Sequence, residues 1–140
     1  MATYNKFEDF VLRLGTGVHN LAAAGDTLNC YLSNAAPSAS LDTIKTELAE
    51  ITNENGYAAP VDAQNDYTEA SGTGTLTAVD IVVTASGGTV GPFQYVVLYN
   101  DTPVSPVDPL IAWWDYGSAL TLNDGESFTI DFGASVFTLT

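Results

Sequence analysis

Seventeen carboxylates, one histidine and one cysteine are the groups with which this 140-residue chain could do chemistry. A Ser-His-Asp triad needs a histidine base. The single candidate, His19, follows Gly15-Thr-Gly17-Val18, and no Gly-x-Ser-x-Gly elbow accompanies it. It reads as a turn or surface residue with a local hydrogen bond. One histidine and one cysteine do not make a multi-ligand zinc site. Cys30 alternates with its neighbours so that Leu28, Cys30 and Leu32 share a face, the pattern of a small buried hydrophobe. A reactive thiol wants a nearby cation or helix N-terminus, and none is visible. Gly15-Thr-Gly17 is followed by Asn20 where a dinucleotide fingerprint needs its third glycine, and Gly87-Gly-Thr-Val-Gly91 lacks the lysine of a phosphate loop. Both read as turns.

Glycoside hydrolysis needs two flanking acids. Asp115, beside Trp113 and Trp114, is the acid best placed among sugar-stacking rings, yet it reads as a strand-end residue facing solvent. Asp62, Asp66 and Glu69 offer oxygen ligands of the kind calcium takes, without EF-hand spacing. Asn100-Asp-Thr102 matches a glycosylation sequon. None of these patterns assembles into a motif, so no catalytic residue, no cofactor and no metal site is expected, and the chain is not expected to be an enzyme.

Charge narrows the partners. The chain carries 17 acidic and 3 basic side chains, a net of -14, and all three cations (Lys6, Arg13, Lys45) fall in the first 45 positions. Phosphate backbones and anionic membrane surfaces are held by Lys and Arg, so neither nucleic acid nor membrane is an expected partner. No 18-residue apolar run occurs, and the opening residues lack the charged-then-apolar order of a secretory signal. A hydrophobic content of 46% nevertheless argues for a folded domain. One cysteine gives no internal disulfide, so the core alone must hold the fold.

The elements that would position these residues follow from periodicity. Phe7, Phe10, Val11 and Leu14 recur at helical spacing, with Asn5 as cap and Glu8 completing a box. Leu41, Ile44, Leu48 and Ile51 predict a second short helix near 41–51, weakened by three threonines. From Tyr57 the period becomes two. Segment 75–84 reads as a strand with Val79, Ile81 and Val83 on one face; 93–99 and 110–116 read as strong strands, and Leu120 with Leu122 marks a short one. Asn123-Asp-Gly125 predicts a hairpin turn, and Gly133-Ala-Ser135 turns the chain from the Phe128 strand into the last. About eight short strands between turn signals predict a mainly β chain. The architecture expected is a single-domain β-sandwich or jelly-roll-like barrel over 1–140, with an N-terminal helix or arm in 1–25 and a β-rich body in 26–140.

Strands 93–99 and 110–116 are apolar on both faces. A sandwich strand needs only one buried face, so the second must meet a helix, a loop or another subunit. Tyr95, Tyr99, Trp113 and Trp114 are therefore candidates for self-association, where aromatic anchors are favoured.

Several stretches form a recognisable set: Ala2-Thr-Tyr-Asn-Lys-Phe7, Gly17-Val-His-Asn-Leu21, Asp26-Thr-Leu28, Asn55-Gly-Tyr57 and Thr84-Ala-Ser-Gly-Gly88. They continue with Tyr95-Val-Val-Leu-Tyr-Asn-Asp-Thr102, Leu110-Ile-Ala-Trp-Trp-Asp-Tyr-Gly117 and Asp124-Gly-Glu-Ser-Phe-Thr-Ile-Asp-Phe132. Together they resemble a family of small virion structural proteins of tailed bacteriophages, most like a capsid decoration (cement) protein. The segments 34–52 and 60–72 match least. The resemblance implies a virion component on the outer surface of the capsid, with the major capsid protein as partner and a homo-oligomer, commonly a trimer, as the assembly. It supplies no active-site residue. Tyr4, Lys6, Phe7, Phe10 and Arg13 are the expected capsid-contact residues, on a helix or arm that holds two of the three cations. The alternative expectation is a tail-associated or host-surface adhesin module whose aromatic residues stack on glycans.

Overall fold

The computed structural model describes residues 2–140. Ten strands, one α-helix and one turn of 3-10 helix follow in the order β1 (Tyr4–Lys6), α1 (Glu8–Gly15), β2 (Leu28–Ser33), 3-10 (Lys45–Glu47), β3 (Val61–Asp62), β4 (Asp66–Ala70), β5 (Thr73–Thr77), β6 (Ile81–Thr84), β7 (Val90–Asn100), β8 (Leu110–Leu122), β9 (Ser127–Ile130) and β10 (Phe137–Leu139). The architecture is mainly β and sandwich-like, as expected. A five-stranded antiparallel sheet runs β1-β8-β7-β2-β3, accompanied by β10-β5-β4 and β6-β9.

The doubly apolar strands lie at the centre of the large sheet, and each face has its own core. On one face Cys30, Leu32, Val96, Leu98 and Ala112 pack with Leu76, Val83 and Ile130 from the smaller sheets. On the other, Tyr31, Val97, Tyr99 and Leu110 pack with Phe7 and Leu48. The second face is thus closed mainly by the β1–α1 junction and the long 34–60 connection rather than by a helix. All six residues of β2 are buried, because β2 sits between β7 and β3 and is covered on both sides. Cys30 is a buried free thiol, as its alternation predicts.

Several local expectations are corrected. Asn5 does not cap α1. It belongs to β1, opposite Trp113 of β8, while the cap position is Phe7, which makes no side-chain cap bond. The N-terminal segment is therefore not a projecting arm but the edge strand of the main sheet, continued by the Phe7 N–H to the Ile111 carbonyl at 3.1 Å. α1 is held by Glu8 and Asp9 in its first turn and Arg13 in its last, each complementing the dipole. The 41–51 helix is a single 3-10 turn. The Glu47 carboxylate takes the N–H groups of Thr43 and Ile44. Thr43 and Lys45 meanwhile bond the backbone of Leu110 and Asp108 at the start of β8. Backbone captured by a neighbouring strand cannot also close helical turns.

The 75–84 stretch is two strands in different sheets, broken at 78–80, with Val79 exposed. Conversely, 110–116 and 120–122 fuse into one 13-residue strand, β8. Asn123-Asp-Gly125 turns the chain but does not make a hairpin, because β8 pairs with β7 and β9 with β6. The 133–135 turn likewise leads from β9 to β10, which pairs with β5. A true two-residue hairpin joins β4 to β5 through Ser71 (φ 53) and Gly72 (φ 84), both in the left-handed region such turns require.

Candidate functional site

The residues expected to carry chemistry are dispersed and engaged locally. Asp62 accepts from the Gln64 N–H, Asp66 from the N–H groups of Ala23 and Tyr67, and Glu69 from the Gly72 N–H. Asp62 and Glu69 each serve their own turn, and Asp66 also ties the loop before β2 to β4. Among the described residues, no group of three His, Cys, Asp or Glu side chains converges as a metal site. Asp115 accepts from Gln94 Nε2 at 3.0 Å and the Gly117 N–H at 2.7 Å. Its two tryptophan neighbours point to opposite faces of β8, Trp113 against Phe7 and Trp114 against Phe132, so the three do not form one sugar-stacking platform. Asn100 is fully buried, which closes the sequon to glycan transfer.

His19 is the largest departure from expectation. It is buried rather than on the surface, its ring tilted against that of Phe10 at 5.1 Å between centroids. Asn100 Oδ1 accepts from the Thr102 N–H, so its Nδ2 donates both to Asp26 at 2.7 Å and to His19 Nδ1 at 2.9 Å. His19 Nδ1 is thereby an acceptor, and the ring proton sits on Nε2, which has no protein partner among the described residues. Burial lowers the His19 pKa to about 4, against the opposing pull of Asp26 and Asp9, so the ring is neutral at pH 7. The elements of this network lie 81 positions apart in sequence, which is why periodicity could not assemble it.

The expected contact residues divide sharply. Phe7 and Phe10 are core residues, and this corrects their assignment as external anchors. Tyr4 is half-buried against Trp114 and Phe137, and burial pushes its pKa up to about 12. Arg13 is paired with Asp9 at 2.9 Å. Lys6 is exposed on β1. On α1 the exposed side chains are Glu8 and the apolar pair Val11 and Leu12. Of the self-association candidates, Tyr99 is 1% exposed and belongs to the second core, whereas Tyr95, Trp113 and Trp114 are half-buried.

The second core is closed at its rim by polar groups. Tyr31 donates its hydroxyl to the Leu48 carbonyl at 3.0 Å. Lys45 Nζ pairs with Glu50 at 3.1 Å and lies over the rings of Tyr31 and Tyr99 at 5.1 and 5.7 Å, a cation–π arrangement. Glu50 in turn accepts from Tyr57, whose oxygen takes the Leu32 N–H at 2.9 Å.

The other face opens near the N-terminal end of β1. A groove of about 260 Å³ runs there between β8 and β9, walled by Trp114, Tyr116, Phe128, Ile130 and Phe132, with Asp131 at its side. The rings support one another edge to face: Tyr116 on Phe128 at 5.8 Å, Phe128 on Phe93 at 5.0 Å and Trp114 on Phe132 at 5.6 Å. Tyr116 is 53% exposed. Beside the groove the sheet is incomplete. β1 pairs with β8 only over Ala112–Trp114, and among the described residues no strand lies along the outer side of β8 beyond that. The register shifts opposite Phe93 and the positive φ of Gly117 (97°) bend this half of β8. Gly91 permits that bend, since a Cβ there would stand 2.7 Å from the Leu120 carbonyl oxygen.

No protein-family model, no curated protein and no solved structure matches this chain.

Proposed function

We propose that this protein is a structural component of a tailed-phage virion, a decoration protein that attaches to the outer surface of the head and stabilises the shell. The observation that carries the reading is the contrast between an open aromatic groove and side chains of chemical potential that are tied into turns or buried. An open apolar surface walled by aromatic rings is suited to holding another protein chain. The resemblance of the sequence stretches to virion structural proteins supports the same reading, and the major capsid protein is the partner it implies.

The mechanism is mechanical. Each subunit buries surface that exists only when capsid subunits are assembled, so its binding free energy adds to the cost of rupturing the shell. Copies around a symmetry axis, with a trimer favoured, let one domain brace several capsid subunits. The acidic body, at a net of -14 for the chain, repels its own kind in solution and stays soluble before attachment. Co-sedimentation of purified protein with emptied, expanded heads tests the proposal. Saturable binding at a copy number set by the head lattice, with heads surviving higher temperature, is the expected result. Absence of binding to heads, with saturable binding to host glycans instead, overturns it.

A further inference from the structure

We propose that the groove between β8 and β9 receives one basic side chain, a lysine or arginine of the partner chain, whose methylene stem lies on the aromatic wall and whose charge meets Asp131. This rests on the decoration reading for the identity of the partner, but the groove's choice of side chain is argued from the fold.

Three observations converge. The first is the wall. Trp114 and Tyr116 of β8 meet Phe128 and Phe132, with Ala2, the first described residue, at the lip. The rings of Trp114 and Phe132 cross at 72° and those of Tyr116 and Phe128 at 88°. Rings so crossed present faces as well as edges, and the faces carry the negative end of the ring quadrupole. A cation over such a face is attracted, most strongly by Trp. The aliphatic stem of Lys or Arg packs on the same surface while its charged head stays at the wet lip. The second is charge. Asp131 is exposed at the side of the groove, its Oδ1 held by the Gly133 N–H at 2.8 Å. Among the described residues no basic side chain lines the groove. The chain has no Lys or Arg after Lys45. Lys45 is paired with Glu50 on the opposite face of the sheet, and Arg13 with Asp9 on α1. The complementary cation therefore comes from another chain. A second copy could offer only Lys6 and would bring -14 against -14. The third is size and polarity. A groove of about 260 Å³ falls just below the range usual for small-molecule sites, about 300–1,000 Å³, and suits one long side chain. A sugar carries a hydroxyl on nearly every carbon, and each one buried without a partner is costly; these walls are mostly ring and aliphatic surface.

The test uses the full ¹⁵N-labelled chain and blocked tripeptides, acetyl-Gly-X-Gly-amide, in which the side chain of X carries the only charge. With lysine or arginine at X, the indole N–H of Trp114 and the amides of 128–132 shift saturably. The indole of Trp113, on the other face, does not move. With norleucine or Nε-acetyl-lysine at X, which keep the stem and lose the charge, affinity falls about fivefold or more. Tyr116→Leu keeps an apolar wall but removes a ring face, and lowers affinity for the lysine peptide about threefold or more. Asp131→Asn keeps the bond to Gly133 but removes the charge, and lowers it about twofold at low salt. Thermal melts confirm that both variants are folded, and both attach more weakly to expanded heads. If the lysine peptide docks in the groove but the parent fails to bind heads, the decoration reading fails and the groove stands. If charged and uncharged peptides perturb the groove alike, if none does, or if both variants bind the lysine peptide as the parent does, the proposal is wrong. Groove signals that move instead with protein concentration would assign the groove to a second copy, and a shift of the same signals by cellotetraose would assign it to a glycan; either overturns the proposal.

Discussion

Trp113 and Trp114 are adjacent on one strand and face two differently finished surfaces. Trp113 leans on Phe7, 4.6 Å between ring centroids, over a core that the 34–60 connection closes. At that core's rim the Tyr31 hydroxyl has its carbonyl and the two tyrosine rings have Lys45 above them. Trp114 leans on Phe132 in a channel left open, with acids beside it and no cation. The same residue type thus serves folding on one side of β8 and is left for association on the other. The difference lies in what the rest of the chain lays over each face. A closed aromatic cluster holds stability; an open one holds free energy that is realised only on binding.

The contrast can be broken at graded points. Phe7→Ala removes the ring that joins β1, α1 and the second core, and a loss of about 3–5 kcal/mol in denaturant unfolding is expected. An effect below about 1 kcal/mol would mean that this face is not a core. His19 comes next. Its folded pKa of about 4 lies below the ordinary 6.5, so the unfolded chain binds the extra proton and the folded one does not. Its contribution is fully present above about pH 6.5 and is lost as pH falls through the window to about 4, on the order of 2–3 kcal/mol. His19→Gln should flatten the stability profile across that window relative to the parent. Carboxylates titrating in the same range are common to both proteins and cancel in the difference. Tyr31→Phe leaves the Leu48 carbonyl without its donor and should cost about 1–2 kcal/mol. Smallest is Tyr116→Ser in the open groove, within about 1 kcal/mol of the parent by thermal melting, although it is the change expected to cost the most in attachment.

Legibility in the sequence followed the same division. The mainly β class, the alternation around Cys30, the strand at 93–99 and the burial of Cys30 are all readable, because alternation and turn residues are local signals. The demand for cover on both faces of the central strands was readable too, but its source was not. The 34–60 connection lacks periodicity, and the single 3-10 turn in it is held by β8 rather than by its own propensity. β4 went unseen because Asp66-Tyr-Thr-Glu-Ala70 has no apolar alternation, although the Ser-Gly pair after it is a hairpin signal. Phe7 and Phe10 looked like anchors because a helical stripe does not say whether its partner is the same chain. The groove was half legible. Trp114 reads from the sequence as an association residue, but Tyr116 on β8, Phe128 on β9 and Phe132 just after it meet only because β9 pairs with β6 rather than with β8. The His19 network had no local signal at all.

Hydrogen exchange of the free and head-bound protein, resolved to single amides, tests the central claim most directly. The account predicts that attachment protects the amides of the groove, at Trp114, Tyr116 and 128–132, and leaves the 34–48 cover of the second core unchanged. Protection confined to the 34–48 segment or to the exposed side of α1, with the groove amides exchanging as in the free protein, would contradict it.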